Sequence, residues 1–150
     1  MTIKVAINGY GRIGRNILRA LYESAHARDL QIVAVNDLGD VATNAHLTST
    51  TPRTASSPAR WRPMATALVV NGDRIKVLAV RNPAELPWKA LGVGRGARVH
   101  RPVHQQGQDA GATSTAGAKK VIICAPGEKD VDATIVYGVN HERAEGQRTR

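Results

Sequence analysis

Three glycines near the start of the chain constrain its fold more than any other feature of the sequence. Gly9, Gly11 and Gly14 have the spacing Gly-x-Gly-x-x-Gly and directly follow a β-branched run, Ile3 to Ile7. The pattern predicts a buried strand, a tight turn and an amphipathic helix from Arg12 to Glu23. The apolar and charged positions of that helix alternate at helical spacing, with Ile13, Ile17, Leu18, Leu21 and Tyr22 on one side and Arg12, Arg15, Arg19 and Glu23 on the other.

A second apolar run ends in an acid and completes a β-α-β unit. The residues from Gln31 to Val35 predict a buried strand, and Asn36 and Asp37 follow it directly. Two parallel strands joined by a helix require a right-handed crossover. The sequence therefore predicts an α/β fold of the Rossmann type, with a doubly wound parallel sheet.

The glycine turn and the acid together form the fingerprint of a dinucleotide-binding site. The first glycine permits the tight turn, the second lets the backbone approach a pyrophosphate, and the third lets the helix pack close to the strand. The backbone N–H groups of Arg12 and Ile13 would then point at phosphate oxygens. Asp37 would accept hydrogen bonds from ribose hydroxyls and repel a 2′-phosphate, which favours NAD over NADP. The alternative is a structural glycine turn with a surface aspartate.

The rest of the chain alternates between patterned and irregular stretches. The residues from Ala67 to Val80 predict a β-hairpin around Asn71-Gly72. Two further runs, Val121 to Cys124 and Ile135 to Val139, predict more strands of the parallel sheet. Three stretches without an apolar period are expected to be irregular or poorly packed, namely residues 50–66, 94–115 and 142–150.

Composition favours one domain in a reducing compartment. The 150 residues are enough for one domain with a core. The single cysteine, Cys124, excludes an intramolecular disulfide. No apolar run near the N-terminus is long enough for a signal peptide or a membrane span. We therefore expect a cytoplasmic protein that has no membrane partner.

A family resemblance is carried by six segments: KVAINGYGRIGRN, VNDLGD, NAHLT, VNGDRIKVLAVRNPAELPW, AGAKKVIICAP and KDVDATIVYGVNH. They resemble the N-terminal half of the phosphorylating, NAD-dependent glyceraldehyde-3-phosphate dehydrogenases. The resemblance implies a Rossmann domain that binds NAD within a homotetramer. It places Cys124, where the family usually has serine, at a strand end that faces the cofactor. The residues that would contact NAD or support its turn are Asn8, Gly9, Gly11, Arg12, Ile13, Gly14, Asn36, Asp37, Arg81 and Cys124.

The same resemblance implies chemistry that needs residues outside this sequence. In the family a cysteine thiolate attacks the aldehyde, a hydride passes to NAD, and phosphate releases the acyl group. The nucleophile lies in a Ser-Cys-Thr-Thr-Asn-Cys type segment beyond the NAD domain, the histidine base lies farther on, and neither occurs in residues 1–150. We therefore assign no catalytic residue and expect residues 1–150 to form the NAD-binding domain without the catalytic domain. Cys124 is interpreted as a small buried hydrophobe rather than a nucleophile.

The irregular stretches match the family when their codons are read out of phase. Codon choices exist that convert Thr50 to Thr66, shifted by one nucleotide, into DTAHGKFPGTVEADGD. The opposite shift converts Gly94 to Gln108 into DVVLECTGLFTSKDK and, near the end, yields VLKAS from Arg143 to Gln147. We interpret these stretches as frame-disturbed. Because RVHRPV stands where ECTGLF would contribute contacts toward the nicotinamide, we expect NAD to bind weakly or only through its ADP-ribose part.

The sequence is open to three other interpretations. A net charge of +9 favours a non-enzymatic nucleic-acid-binding protein, but nine arginines and two glutamates in residues 50–66, 94–108 and 142–150 carry +7 of it, without interleaved aromatics. An erythrose-4-phosphate dehydrogenase-like domain shares the glycine fingerprint. His100 and His104 have the spacing of a helical metal pair, but Pro102 opposes that helix and no third ligand is evident, so no metal is assigned.

Overall fold

The computed structural model describes residues 2–24, 29–50, 59–93, 95–98, 114–124 and 132–142, with the backbone alone at 95–98. Besides the helical residues Ser114 and Thr115, two helices and seven strands lie in these ranges. In chain order they are β1 (Ile3–Asn8), α1 (Arg12–Tyr22), β2 (Leu30–Asn36), α2 (Val41–Thr50), β3 (Trp61–Met64), β4 (Ala67–Val70), β5 (Asp73–Leu78), β6 (Arg95–Arg98) and β7 (Val121–Ile123), and a single 3-10 turn spans Pro83–Glu85.

The seven strands form one mixed sheet in the order β3-β4-β5-β2-β1-β6-β7. The five strands from β5 to β7 along the sheet are parallel to their neighbours, and β3 and β4 extend the sheet through antiparallel pairs. A parallel sheet with a strand-helix-strand crossover confirms the predicted Rossmann-type α/β fold. The carboxyl ends of the parallel strands consequently meet at one edge.

Alternation along the central strands builds a core on each face of the sheet. Ile7 and Val35 belong to one buried cluster, which also holds Leu18 of α1 and Ala45 of α2. Ala6 and Ala34, the neighbouring residues, belong to the opposite cluster together with Trp88. Because successive side chains of a strand point to opposite faces, both faces of β1 and β2 are covered.

The hairpin is confirmed. β4 and β5 pair antiparallel, with Val70 opposite Asp73. Asn71 and Gly72 connect them with positive φ angles of 52° and 100°. Two residues with positive φ give the turn whose twist matches that of the flanking strands, which is why Asn-Gly is favoured there.

Two segments of the stretches expected to be irregular or poorly packed form strands, so the expectation of an irregular backbone was wrong there, whereas the mostly exposed β3 agrees with the expected poor packing. Trp61–Met64 forms β3, which pairs with β4 at the sheet edge, where Pro63 is tolerated. Arg95–Arg98 forms β6, between β1 and β7. A β-ladder uses backbone N–H and C=O groups, so neighbouring strands can add a segment whose side chains have no period. Residues 51–58, 94, 99–113 and 143–150 of these stretches lie outside the described ranges.

The prediction of a strand at Ile135–Val139 was also wrong. Residues 132–142 contain turns and no strand. The Asn140 side chain accepts from the Val136 N–H at 2.6 Å and donates to the Thr134 carbonyl at 3.0 Å, and Gly138 has a φ of 83°. These side-chain bonds close the backbone on itself, so its N–H and C=O groups are not presented to a neighbouring strand.

Helix α1 begins where predicted but buries one residue of its expected polar side. Arg12 is exposed, whereas Arg19 is only 2% exposed and forms an ion pair with Glu23, four residues on, at 3.1 Å. Long arginine side chains can bury their stems against apolar surface, which helical spacing alone does not reveal.

Candidate functional site

The predicted site residues gather at the carboxyl edge of the parallel strands. Asn8 and Asn36 end β1 and β2 at directly opposed positions, and Arg81 lies three residues beyond β5. The Gly9 N–H donates to the Asn36 carbonyl at 2.8 Å, and the Asp37 N–H donates to the Leu78 carbonyl at 2.9 Å. Ligands of open α/β sheets bind outside this edge, so the location suits a nucleotide site.

The glycine turn leaves no room for a side chain at its last position. An ideal Cβ at Gly14 would lie 2.4 Å from the Gly9 carbonyl oxygen and 3.2 Å from Cγ2 of Ile7. Gly9 has a φ of 95°, in the region that favours glycine. At Gly11, by contrast, an ideal Cβ meets no described atom within 4 Å. The turn therefore holds α1 against β1 at Gly14 and leaves open space above Gly11.

The N-terminus of α1 faces that open space. Gly11 is the N-cap residue and supplies no side-chain hydrogen bond, and the first helical bond runs from the Arg15 N–H to the Gly11 carbonyl at 3.0 Å. Arg12 and Ile13 form the exposed start of the helix. Backbone N–H groups in this position, with the positive end of the helix dipole, favour an anion.

Asp37 is held beside the glycine turn by two backbone N–H groups. Its Oδ2 accepts from the Tyr10 N–H at 2.9 Å, and its Oδ1 accepts from the Gly39 N–H at 2.8 Å. Each carboxylate oxygen can accept more than one hydrogen bond. The carboxylate is therefore fixed in place and still able to accept from a ligand hydroxyl.

Asn36 joins three parts of the edge. Its Nδ2 donates to Asn8 Oδ1 at 2.8 Å and to the Val80 carbonyl at 2.9 Å, and its Oδ1 accepts from the Val80 N–H at 2.9 Å. The paired bonds to Val80 set the path of the chain into the exposed Arg81. This geometry agrees with a supporting position for both asparagines.

Sequence reasoning missed three residues that connect the turn to α2. The Tyr10 hydroxyl lies 2.9 Å from Thr48 Oγ1, Thr48 Oγ1 donates to the Asn44 carbonyl at 2.6 Å, and the Asn44 Nδ2 donates to the Gly39 carbonyl at 3.2 Å. Burial raises the pKa of Tyr10 far above its ordinary value, so this hydroxyl stays protonated. Only a GYG tripeptide and an Asn-x-x-x-Thr spacing on a helix could have suggested these contacts.

Cys124 follows the last residue of β7, one position beyond the observed strand end. Its side chain is half-buried and packs against the cluster that contains Ile7 and Tyr10. Burial raises the pKa of the Cys124 thiol, which lowers its thiolate fraction and its reactivity. The environment agrees with its interpretation as a small hydrophobe.

No group of three or more His, Cys, Asp or Glu residues in the described part of the chain is arranged to hold a metal ion. His100 and His104 lie outside that part. None of the described helices is long and apolar enough to cross a membrane.

Comparison with known proteins gives one consistent result. Residues 3–95 match the family model described as glyceraldehyde 3-phosphate dehydrogenase, NAD binding domain. The plasmid-encoded and chromosomal glyceraldehyde-3-phosphate dehydrogenases of Cupriavidus necator are 60% and 59% identical over 141 residues, and that of Pseudomonas aeruginosa is 54% identical over 142 residues. These matches cover 94–95% of this chain but only 42% of each relative. These matches support the glyceraldehyde-3-phosphate dehydrogenase interpretation and give no support to the erythrose-4-phosphate dehydrogenase-like or nucleic-acid-binding alternatives.

Proposed function

This chain belongs to the glyceraldehyde 3-phosphate dehydrogenase family, and on that premise we propose that its glycine turn and Asp37 bind the adenosine and pyrophosphate part of NAD. One observation carries the proposal. The Asp37 carboxylate is fixed at 2.9 Å from the Tyr10 N–H, inside the glycine turn itself. A carboxylate that is positioned there can bind a ribose diol while the helix N-terminus binds phosphate.

The described residues fit this cofactor. The Gly9–Gly14 contact excludes even a methyl group, whereas the space above Gly11 is open to a pyrophosphate. The N–H groups of Arg12 and Ile13 would bind the phosphates, and Asp37 would accept from the ribose hydroxyls. Bound NAD supplies a hydride acceptor. We assign Arg81 and Cys124 to the cofactor as well, because each follows a parallel strand that ends at this edge.

The specificity expected of Asp37 gives the direct test. We expect calorimetry on the full 150-residue chain to detect binding of NAD and of ADP-ribose. The affinity for NADP should be lower, because Asp37 repels a 2′-phosphate. Asp37→Ala should weaken NAD binding about tenfold, since charge-assisted hydrogen bonds are lost, and should reduce the preference for NAD over NADP.

A matched control comes from the neighbouring acid. Asp40 is exposed, and its carboxylate is bonded to Thr43. Asp40→Ala should therefore leave the choice between NAD and NADP unchanged. A wild-type chain that is folded and binds neither NAD nor ADP-ribose would refute the proposal.

For the whole enzyme we propose NAD-dependent oxidation and phosphorylation of glyceraldehyde 3-phosphate by a cytoplasmic homotetramer. The purified 150-residue chain should show no turnover, because no thiolate is placed against the aldehyde carbon. We propose further that residues 50–66, 94–115 and 142–150 are frame-disturbed. Sequencing of the coding DNA across these stretches tests this. Reading the DNA in the shifted frames should give the family residues, and DNA that gives no family residues in any shifted frame would exclude the proposal.

A further inference from the structure

A closed ring of hydrogen bonds starts and ends at Tyr10. Its backbone N–H donates to one oxygen of Asp37, whose other oxygen accepts from Gly39. The Gly39 carbonyl accepts from the Asn44 side chain, and the Asn44 carbonyl accepts from Thr48. The Thr48 hydroxyl lies 2.9 Å from the Tyr10 hydroxyl and closes the ring.

The direction of the closing bond follows from counting protons. Thr48 has one hydroxyl proton, and its 2.6 Å contact with the Asn44 carbonyl uses that proton, because a carbonyl can only accept. The Tyr10 O–H must therefore donate to Thr48 Oγ1. Both side chains are buried, at 1% and 0% exposure, so water does not replace this bond.

The ring links the two structures that a dinucleotide would contact. One side of the ring is the glycine turn, and the other is the loop from Asp37 to Gly39, which leads into α2. Without the Tyr10–Thr48 bond, Asp37 would keep its backbone donors, but α2 and the Gly39 carbonyl would no longer be tied to the turn by side chains of the ring. The bond therefore restricts how far the carboxylate can move relative to the turn.

We propose that Tyr10 and Thr48 are positioning residues that set the affinity of Asp37 for the ribose diol of the dinucleotide. The inference rests on the proposed NAD site. It assigns no ligand contact to either hydroxyl, and both act through the carboxylate. A positioning role differs from general stabilisation, because the effect of Tyr10 and Thr48 on NAD affinity disappears when Asp37 is replaced.

The test is a set of binding measurements with NAD on the full chain. Tyr10→Phe and Thr48→Val should each weaken NAD binding about three- to tenfold, the range expected when one buried hydrogen bond is lost. Thr48→Ser, which keeps the hydroxyl, should restore binding to within about twofold of wild type. Tyr22→Phe is the matched control, since its hydroxyl donates to Asp73, also at 2.9 Å, and takes no part in the ring, and it too should change affinity less than about twofold.

A double-mutant cycle separates positioning from stability. In an Asp37→Ala background, Tyr10→Phe should change NAD affinity less than about 1.5-fold, because the group through which it acts is gone. An undiminished loss in that background, or wild-type affinity in Tyr10→Phe, would overturn the inference.

Amide hydrogen exchange gives a readout without ligand. Exchange at the Gly39 N–H should become about threefold faster in Tyr10→Phe and Thr48→Val and stay unchanged in Tyr22→Phe. If the wild-type chain binds no NAD, the proposed function fails, and exchange at Gly39 still decides whether the ring positions Asp37. Unchanged exchange in both ring variants would reject the ring as a positioning device.

Discussion

The junction of β1, β2 and β5 and the edge strand β3 belong to one sheet but are held in different ways. At the junction, the Asn36 side chain bonds to Asn8 and to both main-chain groups of Val80. At the edge, the backbone ladder with β4 carries β3, and the buried indole Nε1 of Trp61 has no acceptor among the described residues. Polar side-chain bonds thus fix the junction, where a ligand is expected, whereas β3 depends on backbone pairing and on the packing of its Trp61 ring against Tyr22 and the cluster that contains Ile7.

The most severe test of the junction is Gly14→Ala. The new Cβ would meet the Gly9 carbonyl oxygen at 2.4 Å, so α1 must move away from β1. We expect the free energy of unfolding to fall by about 3 kcal/mol, as for overpacked cores. Urea unfolding measures this, and Gly11→Ala is the control, with a smaller expected loss of about 1 kcal/mol, because its Cβ meets no described atom within 4 Å and only the preference of the N-cap position for glycine over alanine is lost. Equal losses would show that the close contact does not matter.

Two tryptophan variants compare the stability contributed by the edge strand β3 with that contributed by the buried core. Trp88, only 1% exposed, fills the second core cluster, and Trp88→Phe should cost about 2 kcal/mol through the cavity it leaves. Trp61→Phe should change stability by less than about 0.5 kcal/mol, because the loss of apolar contact is offset by removal of an unsatisfied donor. A loss at Trp61 as large as that at Trp88 would mean that the indole makes a favourable bond.

The smallest expected effect concerns the start of α2, next to the junction. Asp40 accepts from the Thr43 hydroxyl at 2.6 Å and from the Thr43 N–H at 2.8 Å, and these bonds hold the pKa of Asp40 below its usual value. Stability from this group is present above the unfolded pKa, near 3.9, and is lost as pH falls through the lower folded pKa.

An NMR titration of the Asp40 carboxyl group should show this depression. Thr43→Ala removes the hydroxyl donor and should move the Asp40 pKa back toward its usual value, while Thr43→Ser should keep it low. The same pKa in all three chains would exclude the hydrogen bond from Thr43 Oγ1 as the cause.

The sequence was sufficient for the parts of the fold that follow from local periodicity. β1, α1 and β2 lie within one residue of their predicted ends, and the Asn-Gly hairpin lies where it was expected, because apolar spacing and turn chemistry are encoded within short windows. α2 was missed because its apolar residues do not recur at helical spacing. Its one local signal is the Asp40–Thr43 cap.

The parts that depend on distant neighbours could not be predicted. β6 is a strand because β1 and β7 flank it, and the β-branched run before Gly138 is a turn because Asn140 bonds to its backbone. At the site, the fingerprint located the glycines and Asp37. The Tyr10–Thr48 bond spans 38 residues, so no local pattern contains it.

The bond between Asn36 and Val80 also bears on the order of folding. It joins residues 44 positions apart, whereas paired residues are 27 or 28 positions apart in β1 and β2 and 3 to 9 positions apart in the β4–β5 hairpin. Local units form quickly, and contacts that close long loops form slowly. We therefore expect the two units to assemble first and this amide to bond late, so that the chain reaches a binding-competent pocket only at the end of its folding reaction.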